Sequence, residues 1–204
     1  MSNMENEDNL FSQLEMSENV KVPQNRIGVI IGKKGSTKSF IEEKTQTKID
    51  IDSNEGIVSI RPTKTIEDPL LVWIARDIIK AIARGFSEEK AYKLLDEDYY
   101  LEVIILDNEN KTRLNQIRGR IIGEEGRTRK IIEQSTKSFL SVQGKTISII
   151  GLIDEVPIAK KCIEMLLSGN RHATIYKFLE KHRIQRKRED IEIWQKKIEF
   201  RDDI

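Results

Sequence analysis

One hexapeptide pattern, Ile-Ile-Gly-x-x-Gly, occurs twice in this chain. Ile30-Ile31-Gly32-Lys33-Lys34-Gly35 returns as Ile121-Ile122-Gly123-Glu124-Glu125-Gly126, an offset of 91 residues. The register holds on both sides, pairing Gly28 with Gly119, Thr37 with Thr128, Lys38 with Arg129, Ile41 with Ile132, Glu42 with Glu133 and Thr45 with Thr136. Matches at one constant spacing predict two tandem copies of a small fold; two copies make a duplication, not a solenoid. A length of 204 residues suits two small domains.

Each copy has the same order of signals. Val20 to Val22 and Tyr100 to Leu106 are β-prone openings. A short helical stretch leads into Gly-x-x-Gly, and a second helix follows, with Phe40 and Ile41 or Ile131 and Ile132 as its apolar positions. Two short strands come next, Lys48 to Asp52 with Ile57 to Arg61, and Phe139 to Val142 with Thr146 to Ile150. A longer helix closes each copy. In the first, Asp68 is suited to the cap, Pro69 to the opening turn and Gly85 to the end. Leu71, Ala75, Ile78 and Ile82 then share one face, and Trp73 is expected to pack in the core. The second closing helix is expected from about Asp154 to Ser168, and a charged helix from His172 to about Phe200.

These signals predict an α+β chain, strand-helix-helix-strand-strand-helix twice, each copy a three-stranded antiparallel sheet with helices on one face. The expected division is an acidic mobile tail over 1–19, a first domain over 20–86, a connecting segment over 87–98, a second domain over 99–169 and a charged helix over 170–204.

Charge is distributed unevenly. The net charge is +1, but the first 19 residues hold five acids and no Lys or Arg, so the remainder is basic. From Arg171 to Arg188 there are seven basic residues against Glu180 alone, which reads as a patch for a polyanion or as a solvated helix face. The N-terminus lacks the basic start and apolar centre of a secretory signal, and no apolar run is long enough to span a bilayer. The single cysteine, Cys162, forms no internal disulfide. A cytoplasmic protein without membrane partners is expected.

A lone Gly-x-x-Gly is weak, but here it is duplicated, preceded by Ile-Ile and followed by an amphipathic helix and a β-hairpin. That combination resembles the KH domain in its type I order, whose loop clamps about four nucleotides of single-stranded backbone. Glycine lets a phosphate approach the main chain, and the loop opens a helix whose N-terminus favours anions. On this reading the first copy binds RNA through Gly28, Ile31, Gly32, Lys33, Lys34, Gly35 and Lys38. The second does so through Arg118, Gly119, Arg120, Ile122, Gly123, Glu124, Glu125, Gly126, Arg127, Arg129 and Lys130. Glu124 and Glu125 depart from the basic pattern, and the surrounding arginines are expected to reach phosphates in their place. Gly123→Asp is expected to weaken RNA binding without unfolding the chain.

A longer series narrows the family. Gly85-Phe86-Ser87-Glu88-Glu89-Lys90-Ala91, then Ile117 to Gly123, Gly151, and Leu167-Ser168-Gly169 ahead of His172-Ala173-Thr174-Ile175-Tyr176 are similar to the archaeal Dim-two family. These proteins are relatives of the eukaryotic assembly factor Partner of Nob. The resemblance implies binding near the 3′ end of small-subunit ribosomal RNA in maturation or early initiation. It implies as partners a Nob-type endonuclease and the alpha subunit of initiation factor two.

Other classes fit less well. A phosphate-binding P-loop needs four residues between its glycines and a hydroxyl after the lysine; Gly28 to Gly32 encloses three, and Lys34 follows Lys33. His172, His182 and Cys162 match no zinc spacing, so no metal site, cofactor or catalytic residue is expected. A protein-interaction scaffold built on KH folds is the alternative. Salt dependence separates the two readings, since each phosphate contact to a single strand lowers log affinity by about 0.7 per log unit of salt.

Overall fold

A computed structural model describes residues 17–66, 68–106 and 110–202. Residues 1–16 of the expected acidic tail lie outside them, and the first strand already begins at Glu18. By contacts the chain divides into two compact units, Met1–Ile105 with Ser141–Ile150, and Leu106–Leu140 with Gly151–Ile204.

The first sheet consists of β1 (Glu18–Lys21), β2 (Thr47–Asp52) and β3 (Ile57–Pro62). β3 is central and antiparallel to both neighbours, with Val20 and Ile51 opposite Val58, and Ile49 opposite Ile60. Alternation sets the faces. Ile49, Val58 and Ile60 are fully buried, while Lys48 and Asp50 on either side of Ile49 are exposed. The β2–β3 turn closes on Asp52, whose Oδ1 accepts from Asn54 N at 2.8 Å and Glu55 N at 3.1 Å.

The helices α1 (Gln24–Ile31), α2 (Ser36–Thr45) and α3 (Leu70–Ala83) complete the first copy. Asp68 starts α3 as expected, its Oδ1 accepting from Leu70 N at 2.8 Å. Ala75, Ile78, Ile79 and Ile82 are fully buried, and α3 packs on β1, β3, α1 and α2. The expectation for Trp73 is overturned: it is 52% exposed. Its helical neighbours at three, four and seven residues on are Arg76, Asp77 and Lys80, so it lies on the solvated face.

The second copy repeats the order with β4 (Tyr99–Ile105), α5 (Lys111–Ile122), α6 (Arg127–Ser135), β5 (Phe139–Gln143), β6 (Thr146–Leu152) and α7 (Val156–Leu167). Its sheet order, β4-β6-β5, matches β1-β3-β2. The architecture is therefore α+β with two three-stranded sheets, as the repeat predicts. Correspondence extends to single hydrogen bonds. Glu42 accepts from Ile49 N at 2.8 Å and Glu133 from Leu140 N at 2.7 Å. Thr45 Oγ1 donates to Ile41 O at 2.6 Å and Thr136 Oγ1 to Ile132 O at 2.9 Å. These side chains tie the end of one helix to the strand after it, which explains why Glu and Thr recur at fixed positions.

Two further helical segments follow the closing helices. A short α4 (Glu88–Ala91) runs into a 3-10 turn over Tyr92–Leu95, and a long α8 (His172–Asp202) follows α7. Ile175 and Leu179 of α8 are buried, and Arg186 pairs with Glu155, itself only 4% exposed, beside the start of α7. Among the described residues no helix is long and apolar enough to cross a membrane.

Cys162 is fully buried on α7, and burial pushes its thiol up to about 12. At pH 8 the thiolate, the reactive form, is then a negligible fraction. Alkylation by iodoacetamide is expected to be absent in the native chain and to follow the global unfolding curve in urea. Labelling at native conditions would show α7 opening on its own.

Candidate nucleic-acid interface

Each loop is a single turn of 3-10 helix bracketed by glycines in the left-handed half of backbone space. In the first copy Gly32 has φ 73° and ψ 176°, Lys34 φ 56°, and Gly35 φ 83° and ψ 9°. In the second Gly123 has φ 73° and ψ 176°, Glu125 φ 50°, and Gly126 φ 76° and ψ 13°. Lys-Lys and Glu-Glu thus take the same conformation, so the loop shape is fixed by glycine placement and not by the charges between.

The two glycines of a loop have different duties. A Cβ on Gly32 would lie 2.1 Å from Thr37 Oγ1 and 2.6 Å from Thr37 N; on Gly123 it would lie 2.4 Å from Thr128 Oγ1 and 2.9 Å from Thr128 N. The first glycine is required by the protein's own packing. At Gly35 and Gly126 a Cβ would meet nothing within 4 Å, so the second glycine leaves bare main chain facing open space. Gly123→Asp, expected to weaken binding without unfolding the chain, therefore also presses on Thr128 and does not isolate the phosphate contact.

Gly35 and Gly126 occupy the N-caps of α2 and α6, and no side chain caps either helix. Gly35 N and Gly126 N donate within the turn, to Gly32 O and Gly123 O at 3.2 Å, so what draws an anion there is the positive end of the helix dipole beside close-approachable main chain. Gly28 and Gly119 are exposed one turn earlier, with nothing within 4 Å of a Cβ, which extends the bare surface onto α1 and α5. Ile31 is 36% exposed beside the first loop and Ile122 half-buried beside the second.

The charged residues sort differently from the sequence expectation. Lys33 and Lys34 are exposed at the mouth of the first loop, and Lys38 is half-buried. Around the second loop Arg127 and Lys130 are exposed, as are Glu124 and Glu125. Arg118 is half-buried. Two arginines are engaged within the protein: Arg120 Nη2 donates to Asn170 O at 2.6 Å, and Arg129 Nη2 pairs with Glu133 at 3.3 Å. The basic side chains best placed to meet a phosphate are thus Arg127 and Lys130. Sequence reasoning also missed Thr37 and Thr128, the floors of the two loops, although their shared register was visible.

The comparisons with known proteins agree with this geometry. A KH domain model matches residues 17–67, and a model described as a eukaryotic type KH domain, type I, the second of the Partner-of-Nob kind, matches residues 100–184. The chain is similar to the crystal structure of Dim2p from Pyrococcus horikoshii OT3, with 53% identity and a TM-score of 0.76 over 81% of this chain and 98% of that one. The chain belongs to the Dim2p family of tandem KH-domain proteins. A KH domain-containing protein of Methanocaldococcus jannaschii is 46% identical over 182 residues, 88% of this chain and 80% of that protein. A second Dim2p structure, solved in a complex of a/eIF2alpha, aDim2p and rRNA from Pyrococcus horikoshii, is 51% identical, with a TM-score of 0.78 over 83% of this chain and 94% of that one. Within the Dim2p-like second domain the match runs on to residue 184, so it includes the first turns of α8.

Proposed function

We propose that this chain binds single-stranded RNA at both Gly-x-x-Gly loops and acts through binding, with no chemistry of its own. One observation carries the reading: the same three left-handed residues, ending in bare main chain at an uncapped helix, occur twice. Phosphates would seat at Gly35 and Gly126, positioned by Lys33, Lys34, Arg127 and Lys130. Base edges would lie along the apolar flank beside Ile31 and Ile122, where sequence preference arises.

The target we infer is the 3′-end region of small-subunit ribosomal RNA, during maturation or early initiation in the cytoplasm. The rRNA-bound Dim2p relative supports an rRNA target. The same complex supports the alpha subunit of initiation factor two as a partner, and the Partner-of-Nob type of the second domain supports a Nob-type endonuclease. Crosslinking in cells with sequencing of bound RNA tests the target. Tags gathered at the small-subunit 3′ end are expected; tags spread over messenger RNA would overturn it. A protein-scaffold role for the second copy is favoured by one observation, the exposed Glu124 and Glu125 at its loop mouth. Affinity for single strands that is weak and insensitive to salt would support that role instead.

A further inference from the structure

The chain carries a second self-match in a different register. Gly85 and Gly169, Ala91 and Ile175, Tyr92 and Tyr176, and Leu95 and Leu179 are each 84 residues apart. Both glycines have positive φ at the end of a closing helix, and in both copies a new helix begins three residues later, at Glu88 and His172. Ala91 and Ile175 are both fully buried. The repeating unit is thus longer than strand-helix-helix-strand-strand-helix, because each copy ends in an appended helical segment.

The appended segment of the second copy reaches back to the loop of its own copy. Tyr176 OH lies 3.0 Å from Thr128 Oγ1, the atom nearest the position a Gly123 Cβ would take. Tyr92 stands at the equivalent position with its ring against Phe40 at 4.3 Å, but Thr37 Oγ1 has no hydrogen-bond partner, so the hydroxyl link is made in the second copy. A second link recurs too. Arg26 of α1 donates to Phe86 O and Arg120 of α5 to Asn170 O, and these two carbonyls each belong to the residue after the helix-ending glycine. Arg120 O is in turn bonded to His172 Nε2 at 2.9 Å. The helix that leads into each loop is fastened to the appended segment, and in the second copy the threonine beneath the loop is fastened to it as well.

The loops need such support. Each holds three left-handed residues, one of them not glycine, and no side-chain cap at the following helix. Backbone of that kind persists only where its surroundings over-determine it. The three nearest atoms to a Cβ on either first glycine all belong to the threonine beneath it. Thr128, its hydroxyl held by Tyr176, keeps one side-chain position against Gly123, while the turn closes on itself with Gly126 N donating to Gly123 O at 3.2 Å.

We propose that Tyr176 is a positioning residue that holds the second loop in its binding shape through Thr128 under it, making the appended helix part of the RNA-binding unit of that copy. This rests on reading the loops as RNA-backbone cradles. The test uses the full chain with Tyr176→Phe, which removes one oxygen and keeps the ring. Three readouts are taken: single-stranded RNA affinity, the thermal midpoint, and the amide resonances and hydrogen exchange of Gly123, Glu125 and Gly126. Loss of one hydrogen bond's worth of organisation predicts an affinity about five- to tenfold weaker. Loop amides should shift and exchange faster. Thr128→Val should do the same, Thr128→Ser should restore wild-type behaviour, and Tyr176→Phe with Thr128→Val should be no worse than either alone. Unmoved loop resonances and affinity, even with a lowered midpoint, would overturn the proposal and leave Tyr176 a packing residue. If the unmodified chain bound no single strand, the RNA reading itself would fall, and with it the RNA-binding role given to Tyr176; shifted loop amides would then show only that Tyr176 shapes the turn.

Discussion

Asp at both Gly35 and Gly126 is expected to weaken binding to single-stranded RNA by about 100-fold, or about 2.7 kcal/mol, while the chain remains folded. These two positions are chosen because a Cβ meets nothing within 4 Å at either. Their φ values, 83° and 76°, lie where Asp and Asn are tolerated best among residues with side chains, so the cost in stability is about 1 kcal/mol per site. A carboxylate there faces the phosphate at short range. At about 4 Å and an effective dielectric near 20 the repulsion is about 4 kcal/mol, and relaxation of the strand leaves roughly 1–2 kcal/mol of it at each loop. Asn at the same two positions separates charge from shape and should cost less than a few-fold. Titration of the paired variants by fluorescence anisotropy, with circular dichroism as the fold control, checks the expectation. Equal losses for Asp and Asn would place the effect in backbone strain and not in phosphate recognition.

Arg186→Ala is expected to produce the largest loss of stability at any single position discussed, about 3 kcal/mol. Arg186 Nη1 is paired with Oε1 of Glu155, whose side chain is only 6% exposed, and Glu155 Oε2 has no hydrogen-bond partner. Removing the cation leaves a buried carboxylate without compensation, which typically costs about 3–5 kcal/mol. The lower figure applies because the Arg186 side chain is 31% exposed, so water reaches the pair from one side. Urea unfolding measures it directly. Replacing both partners, Glu155→Gln with Arg186→Met, should recover most of the loss. A single variant within about 0.5 kcal/mol of the unmodified chain would mean that α8 is not held at its Arg186 turn. Arg186 thereby leaves the basic stretch counted from Arg171 to Arg188, since its charge is directed inward.

Much of this molecule is legible in the amino-acid order because duplication makes errors visible: a feature seen at Gly32 can be checked at Gly123. Strand and helix positions follow from period and turn residues, and the Asp68 cap, the Ser53 to Gly56 turn and the glycine bracket all stand where local chemistry puts them. Failures arise where a partner lies far along the chain. Nothing near Arg120 in sequence announces Asn170, and Arg129 can be read as a phosphate ligand until Glu133 is seen facing it, one helical turn away. The core expectation for Trp73 fails because its place in the helical period, beside Arg76, Asp77 and Lys80, outweighs its hydrophobicity. The distinction between the two glycines of each loop was also hidden, as both need positive φ and only one lies against Thr37 or Thr128. Tyr92 and Tyr176 were within reach of sequence reasoning. They are obscured because the second register differs from the first by seven residues.

The most direct test of two RNA-backbone cradles is an amide titration of the full chain with a short single-stranded RNA, followed at Gly35, Ser36, Gly126 and Arg127. The account predicts that these resonances move first and saturate with the measured affinity, in both copies, while amides of α3 and α7 stay in place. RNA that binds with the Gly35 and Gly126 amides unmoved would contradict it.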